Sequence, residues 1–127
     1  MSAKYKVVQR GNPAKPSAAK KFYAQSVSRG EATLKQVKSQ INDMTSVNSA
    51  DSSASIDAFA QVLVQRIANG EIVRFGDLGS FQLSFSSTGA DSEAQFNSSL
   101  IKNAKVVFRP GKDIKDMLKT LVFEKES

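Results

Sequence analysis

The side chains able to do chemistry in this sequence are few and mostly cationic. Arg109, Lys112, Lys115 and Lys119 follow closely on Lys105, and Lys102 stands just before them. Lysines three and four positions apart share one helix face, and such a face is ordinarily just solvated. With Arg109 and Lys105 leading into it, it becomes a candidate phosphate-binding strip, since lysine contacts phosphate without needing base geometry. Neither histidine nor cysteine occurs in the 127 residues. That removes the commonest general base, thiolate nucleophiles, disulfides and the usual zinc ligands. Asp91 and Glu93 are close in sequence, but they sit in a polar stretch with nothing to raise a pKa. Gly76-Asp77-Leu78-Gly79 lacks the Gly-Lys-Ser/Thr ending of a phosphate loop and lies between strands. No catalytic constellation survives, so no enzyme, cofactor, metal site or small-molecule substrate is expected.

The net charge of +6 is unevenly placed. Residues 1–30 hold seven basic side chains (Lys4, Lys6, Arg10, Lys15, Lys20, Lys21 and Arg29) and no acidic one, whereas the rest of the chain is close to neutral. Arg10, Lys15, Lys20 and Lys21 are thus a second candidate group. A basic arm attracts nucleic acid or an anionic surface; the plainer reading is a solubilising tail or a basic edge strand. Length and a 40% hydrophobic fraction fit one domain with an arm. No run approaches the roughly 18 apolar residues of a membrane span, and Met1 to Arg10 has no apolar block of a secretory kind. A soluble, cytosolic protein without a membrane partner is the expectation.

The elements that must position these groups can be read from spacing. Ile67 to Phe81 organises the chain: an apolar helix pattern stops at Asn69-Gly70, a β-prone run covers Ile72 to Phe75, Gly76 to Gly79 turns, and a second strand starts at Ser80. Before it, Lys4–Arg10 and Lys20–Ser28 read as short strands around a Gly11–Pro16 loop. Tyr5, Phe22 and Tyr23 read there as core aromatics, with base stacking as the alternative. Thr33-Leu34-Lys35-Gln36 fits a capping box opening a helix over 34–44. A second helix is expected from about 53 to 69, capped by Asp51 or Ser53, with Ile56, Phe59, Ala60, Leu63, Val64 and Ile67 on one face. Two such helices cannot bury each other and also cover a sheet, and a symmetric partner resolves this. Phe81, Leu83 and Phe85 alternate as a half-buried strand; Ser86 to Ser99 is a loop or an extended arm; Ile101 to Phe108 is a strand ended by Pro110-Gly111. A third helix starts near Lys112, burying Ile114, Met117, Leu118, Leu121 and Val122.

Gly70, the Gly76-x-x-Gly79-Ser80-Phe81 turn, and Phe108-Arg109-Pro110-Gly111-Lys112-x-Ile114-Lys115-Asp116 resemble two signatures of the HU/integration-host-factor family. Order and spacing over about residues 31–123 match as well. The Asn12-Pro13 loop and Phe22-Tyr23-Ala24 are similar to the variant HU-like branch of the Bacteroidetes type, which carries an N-terminal extension. The resemblance implies an α+β, HU-like (IHF-like) fold with two N-terminal helices, a three-stranded antiparallel sheet with a β-arm, and a C-terminal helix. It also implies an intertwined homodimer whose arms enter the minor groove and bend the duplex. Residues 1–30 would be the extension and 31–127 the HU-like domain, with its arm at about 86–103. Arg109 and Lys112, with Lys115 beside them, match positions where family members meet phosphate. One departure stands out: residues 82–107 hold only Lys102 and Lys105, balanced by Asp91 and Glu93, and no proline. An arm without excess positive charge gains little from counterion release.

Three readings follow. The first is a sequence-tolerant, histone-like protein of the bacterial nucleoid, dimeric, contacting phosphates of double-stranded DNA through Arg109, Lys112, Lys115, Lys105, Lys102, Arg10, Lys15, Lys20 and Lys21. The second is an HU-fold structural or protein-interaction module with little or no DNA binding. The third, RNA binding, rests on Tyr5, Phe22 and Tyr23 beside lysines.

Overall fold

The computed structural model describes residues 2–126; Met1, first residue of the basic extension, and Ser127 lie outside the described residues. Strands β1 (Ala3–Arg10) and β2 (Lys21–Val27) form an antiparallel hairpin. Helices α1 (Leu34–Met44) and α2 (Ser49–Ala68) follow. A second sheet is built from β3 (Val73–Phe75), β4 (Gly79–Ser87) and β5 (Ile101–Pro110), antiparallel in the order β3-β4-β5. Helix α3 (Lys112–Lys119) closes it, and a last strand, β6 (Phe123–Lys125), returns to pair in parallel with β1, giving the order β2-β1-β6. Among the described residues the fold is α+β, with three α-helices and two three-stranded sheets.

Local chemistry sets the helix limits. Thr33 caps α1 through the expected box: its side chain accepts from Gln36 N, and the Gln36 side chain accepts from Thr33 N at 2.9 Å. Helix α2 begins earlier than the expected residue 53. Its cap is Asn48, not Asp51 or Ser53, and the Asn48 side chain accepts from Asp51 N at 2.9 Å while its amide donates to the Asp51 carboxylate at 2.9 Å. The Ser/Ala-rich first turn has no apolar period to reveal it. Helix α3 ends sooner than its apolar stripe suggests. The Thr120 hydroxyl and amide both bond to the Met117 carbonyl, so Leu121 and Val122 lie beyond the helix. Val122 instead offers its carbonyl to Ala3 N at 2.8 Å, starting the β1–β6 ladder.

One apolar layer lies between α2 and the second sheet. Phe59 meets Phe75 with ring centroids 4.8 Å apart, and Phe81 meets Phe108 at 5.1 Å. Of the expected α2 face, Ile67 is buried and Ile56 and Leu63 are half-buried, but Phe59, Ala60 and Val64 are exposed. The N-terminal aromatics are not core in the single chain either: Phe22 is 70% and Tyr23 47% exposed, because they project from β2, the outer strand of a sheet whose faces this chain leaves open.

The turn at Gly76–Leu78 is one 3₁₀ turn, and it is locked by two glycines. Gly79 has φ 146°, a region that side-chain-bearing residues rarely adopt, and a Cβ there would run into the Arg109 carbonyl and come within 2.8 Å of the Phe108 ring. A Cβ on Gly111 would strike the Asp77 carbonyl, while Gly111 N donates to Leu78 O at 2.9 Å. Gly79→Ala is therefore expected to destabilise the protein by at least about 2 kcal/mol, read as an earlier midpoint in urea unfolding. Gly70→Ala, where φ is 81° but no atom lies within 4 Å of the added carbon, should cost less.

The C-terminal strand is held by one polar cluster. Arg29 Nη2 donates to Glu124 Oε2 at 3.0 Å, and Ser2 Oγ donates to the same oxygen at 2.8 Å. The Ser2 hydrogen bond first, then the Arg29 charge, hold the Glu124 carboxyl below its ordinary 4.5. A depressed carboxyl stabilises the fold above its unfolded pKa, and that contribution is lost as pH falls through the folded one. The β1–β6 ladder should thus loosen in acid, below about pH 4.5, and be insensitive to mild alkali. Amide shifts of Lys4 and Lys125 across a pH titration measure this, and Glu124→Gln should abolish the dependence.

Candidate nucleic-acid interface

The outer face of the β3-β4-β5 sheet gathers cations. Residues directly opposite in a sheet share a face, and the register puts Arg74, Ser80 and Arg109 on one rung. Gln82 and Val107 form the next rung on that face, and Ser84 and Lys105 the one after. The opposite face carries Val73, Phe81 and Phe108 in the apolar layer. Period-two alternation alone would send Lys102 to that apolar side, three residues from Lys105. The register shift between Ser84 and Ser86 prevents it: Ser86 pairs with Lys102, so β5 spends one more residue than β4 here. This bulge centres on Asn103, whose φ is 57° and whose amide donates to Ser86 Oγ at 3.2 Å. Lys102 is thereby returned to the face of Lys105 and Arg109.

Arg74, Arg109, Lys105 and Lys102 thus line one face with Ser, Gln and Val between them and no carboxylate. None of the four takes part in a salt bridge among the described residues. Arg74 was not singled out by the sequence. The signal lay in the alternation Val73-Arg74-Phe75, which sets its side chain opposite the two flanking apolar ones. Gly79 and Gly111 let the turn approach the Arg109 backbone closely, so the strand end and the start of α3 are fixed together.

On α3, Lys112 is the first residue, and its Nζ lies 3.3 Å from Asp116 Oδ2. That exposed pair partly offsets its charge. Lys115 and Lys119 are exposed and unpaired among the described residues. The remaining candidates belong to the other sheet. Arg10 and Lys21 face each other at the loop end of the β1–β2 hairpin, and Lys15 and Lys20 lie in the loop that joins the strands. The structure therefore divides the candidates among the β3-β4-β5 sheet, helix α3 and the loop end of the β1–β2 hairpin. Where an arm is expected, β4 and β5 pair only as far as Ser87 and Ile101. Residues 88–100 form a loop with two 3₁₀ turns, Glu93–Gln95 and Ser98–Leu100, and contain no basic residue. Among the described residues, no helix is long and apolar enough to cross a membrane and no acidic cluster could hold a metal ion.

An antiparallel sheet with two helices before it and one after it is the element order that the HU-like resemblance implies. The chain belongs to the HU-HIG family, described as an HU domain fused to wHTH, Ig, or glycine-rich motif, whose profile matches residues 1–125. In fold it is similar to a proposed bacterial DNA-binding protein from Bacteroides vulgatus, with a TM-score of 0.68 and 14% identity. That match covers 99% of this chain and 50% of the other, so the chain spans half the length of the solved structure it resembles. No curated protein matches the sequence. The HU-like resemblance seen in the Gly76–Phe81 turn and the Phe108–Asp116 motif is thus met at the level of the family.

Proposed function

We propose that this chain is a non-enzymatic, sequence-tolerant DNA-binding protein that grips the phosphates of double-stranded DNA electrostatically. The observation that carries the reading is the carboxylate-free face of Arg74, Arg109, Lys105 and Lys102. Cations spaced along strands, with small polar side chains between them, meet a phosphate backbone without selecting bases. Lys115, exposed on α3, is a further phosphate contact in this reading, and Lys112 joins it when phosphate competes with Asp116. Arg10, Lys15, Lys20 and Lys21 form the second group, on the division at residue 30 between extension and HU-like domain. Membership of an HU family and similarity to a proposed DNA-binding protein support this partner. A nucleoid, cytoplasmic location goes with it.

The working unit is a homodimer. Ile67 is the one apolar side chain buried among the described residues of the single chain, whereas Leu34, Val62 and Val64 of α1 and α2 are at least half exposed. A second copy laid over those helices would complete the core. A specific observation favours the rival reading as a structural or protein-interaction module: the loop over residues 88–100 has no cation to place in a groove. A gel-shift titration on unrelated duplexes at two salt concentrations separates the two. The DNA-binding reading expects complexes of similar affinity on all duplexes that weaken steeply with salt. No complex at about 50 mM salt, where phosphate contacts are strong, would leave the module.

A further inference from the structure

The end of the β1–β2 hairpin encloses a cavity of about 260 Å³ lined by Arg10, Asn12, Lys15, Lys21 and Tyr23 together with Ala18 and Ala19. Three of those side chains are cations, and none has a carboxylate partner among the described residues. Arg10 and Lys21 are directly opposite in the ladder, a like-charge pairing that costs stability unless an anion lies between them. A neighbouring cavity of about 290 Å³ shares Arg10, Asn12 and Tyr23 and is finished by Gly11 and Pro13 rather than by further cations. The loop over both is ordered: Lys15 N donates to Asn12 O at 3.0 Å, Ala18 N to Lys15 O at 2.9 Å, and Ala14 N to Asn12 Oδ1 at 3.0 Å. That last bond fixes the Asn12 amide and leaves its Nδ2 as a donor.

We propose that the hairpin end is a site for one nucleotide, its phosphate in the cationic cavity and its base against Tyr23 and Pro13 in the neighbouring one. Arg10 supplies a planar, two-pronged contact to phosphate and Lys15 and Lys21 supply point charge. A half-exposed tyrosine offers a face that any base can stack on, and Asn12 Nδ2 can donate to the edge of that base. The site lies on the sheet that does not carry the Arg109 strip. The inference rests on the nucleic-acid reading above, and because the bases of a duplex are paired and stacked, the unit such a site takes is an unpaired or terminal nucleotide of the bound DNA.

The test is an amide and aromatic NMR titration of the full chain with three probes: adenosine monophosphate, inorganic phosphate and adenosine. The monophosphate should move the amides of Gly11, Asn12, Lys15 and Lys21 and the Tyr23 ring. It should bind about tenfold more tightly than phosphate, the increment expected from stacking one base. Tyr23→Ala should remove that advantage. Lys15→Gln, whose side chain supports no hydrogen bond of the loop, should weaken phosphate and monophosphate alike. Monophosphate binding no tighter than phosphate, or shifts confined to β5 and α3, would overturn the nucleotide site. If duplex is still retained by gel shift in that event, the site alone has failed; if duplex is not retained, the broader reading has failed with it.

Discussion

Replacing Arg74 and Arg109 together by alanine is expected to weaken duplex binding by about a hundredfold or more, since each charge-assisted hydrogen bond contributes about 1.5–3 kcal/mol. The two guanidiniums share a rung across Ser80. Neither is engaged by a carboxylate, so their removal orphans no buried partner and the fold should survive. The loss should be the same on every duplex, because phosphate contacts carry no base information. The dependence of log affinity on log salt should also become shallower by about 2 per chain, one for each phosphate that is no longer neutralised. Lys112→Ala should do much less. Its ammonium already spends part of its field on Asp116 at 3.3 Å, and both groups are exposed. Fluorescence anisotropy with a labelled duplex measures both variants against the parent. A double variant that binds like the parent would move the interface off this sheet.

A single carboxylate at Val64 is expected to separate the two copies. Val64 is 68% exposed on α2, beside an apolar hollow it shares with Ala60, Gln61 and Gln65. In one chain Val64→Asp touches nothing that needs it. Beneath a partner it would bury an unpaired charge, at a cost of about 3–5 kcal/mol, enough to raise the dimer dissociation constant by about a hundredfold or more. Because the single chain buries so little apolar surface, dissociation and unfolding should be linked, and the parent's melting temperature should rise with protein concentration. Sedimentation velocity and melts over a dilution series read both effects. A variant that sediments and melts like the parent would place the partner surface elsewhere.

Spacing alone delimited α1, the β3–β4 turn and the start of α3, because each is set by local chemistry: a capping box at Thr33, glycines at 76, 79 and 111, and a proline at 110. Non-local pairing was not legible. Phe123 to Lys125 has no alternation of its own, and it is a strand only because β1 offers an edge and Arg29 holds Glu124. The same holds for the site. Arg109 and Lys105 were legible together as the lead-in to the α3 lysines, and because β5 runs on to Pro110 they lie two periods apart on one strand. Lys102 joins them only through the bulge at Asn103, and Arg74 only through a register that crosses two strands. The beginning of α2 stayed hidden because Ser49 to Ser55 carries no apolar period, although Asn48 caps it as well as any aspartate would.

The β1–β6 ladder also changes how the N-terminal charge should be tested. Deleting residues 1–30 would strip the partner strand from Phe123–Lys125 as well as seven cations, so any loss of binding would mix folding with charge. Glutamine replacements at Arg10, Lys15 and Lys21 separate the two.

The most direct measurement is the slope of log affinity against log salt for the parent on duplexes of unrelated sequence. A common slope of about −4 or steeper, the release expected from about five or more neutralised phosphates on a dimer, is the predicted result. A slope near zero, or affinities that follow base sequence and ignore salt, would contradict an electrostatic grip by the Arg74–Arg109 face.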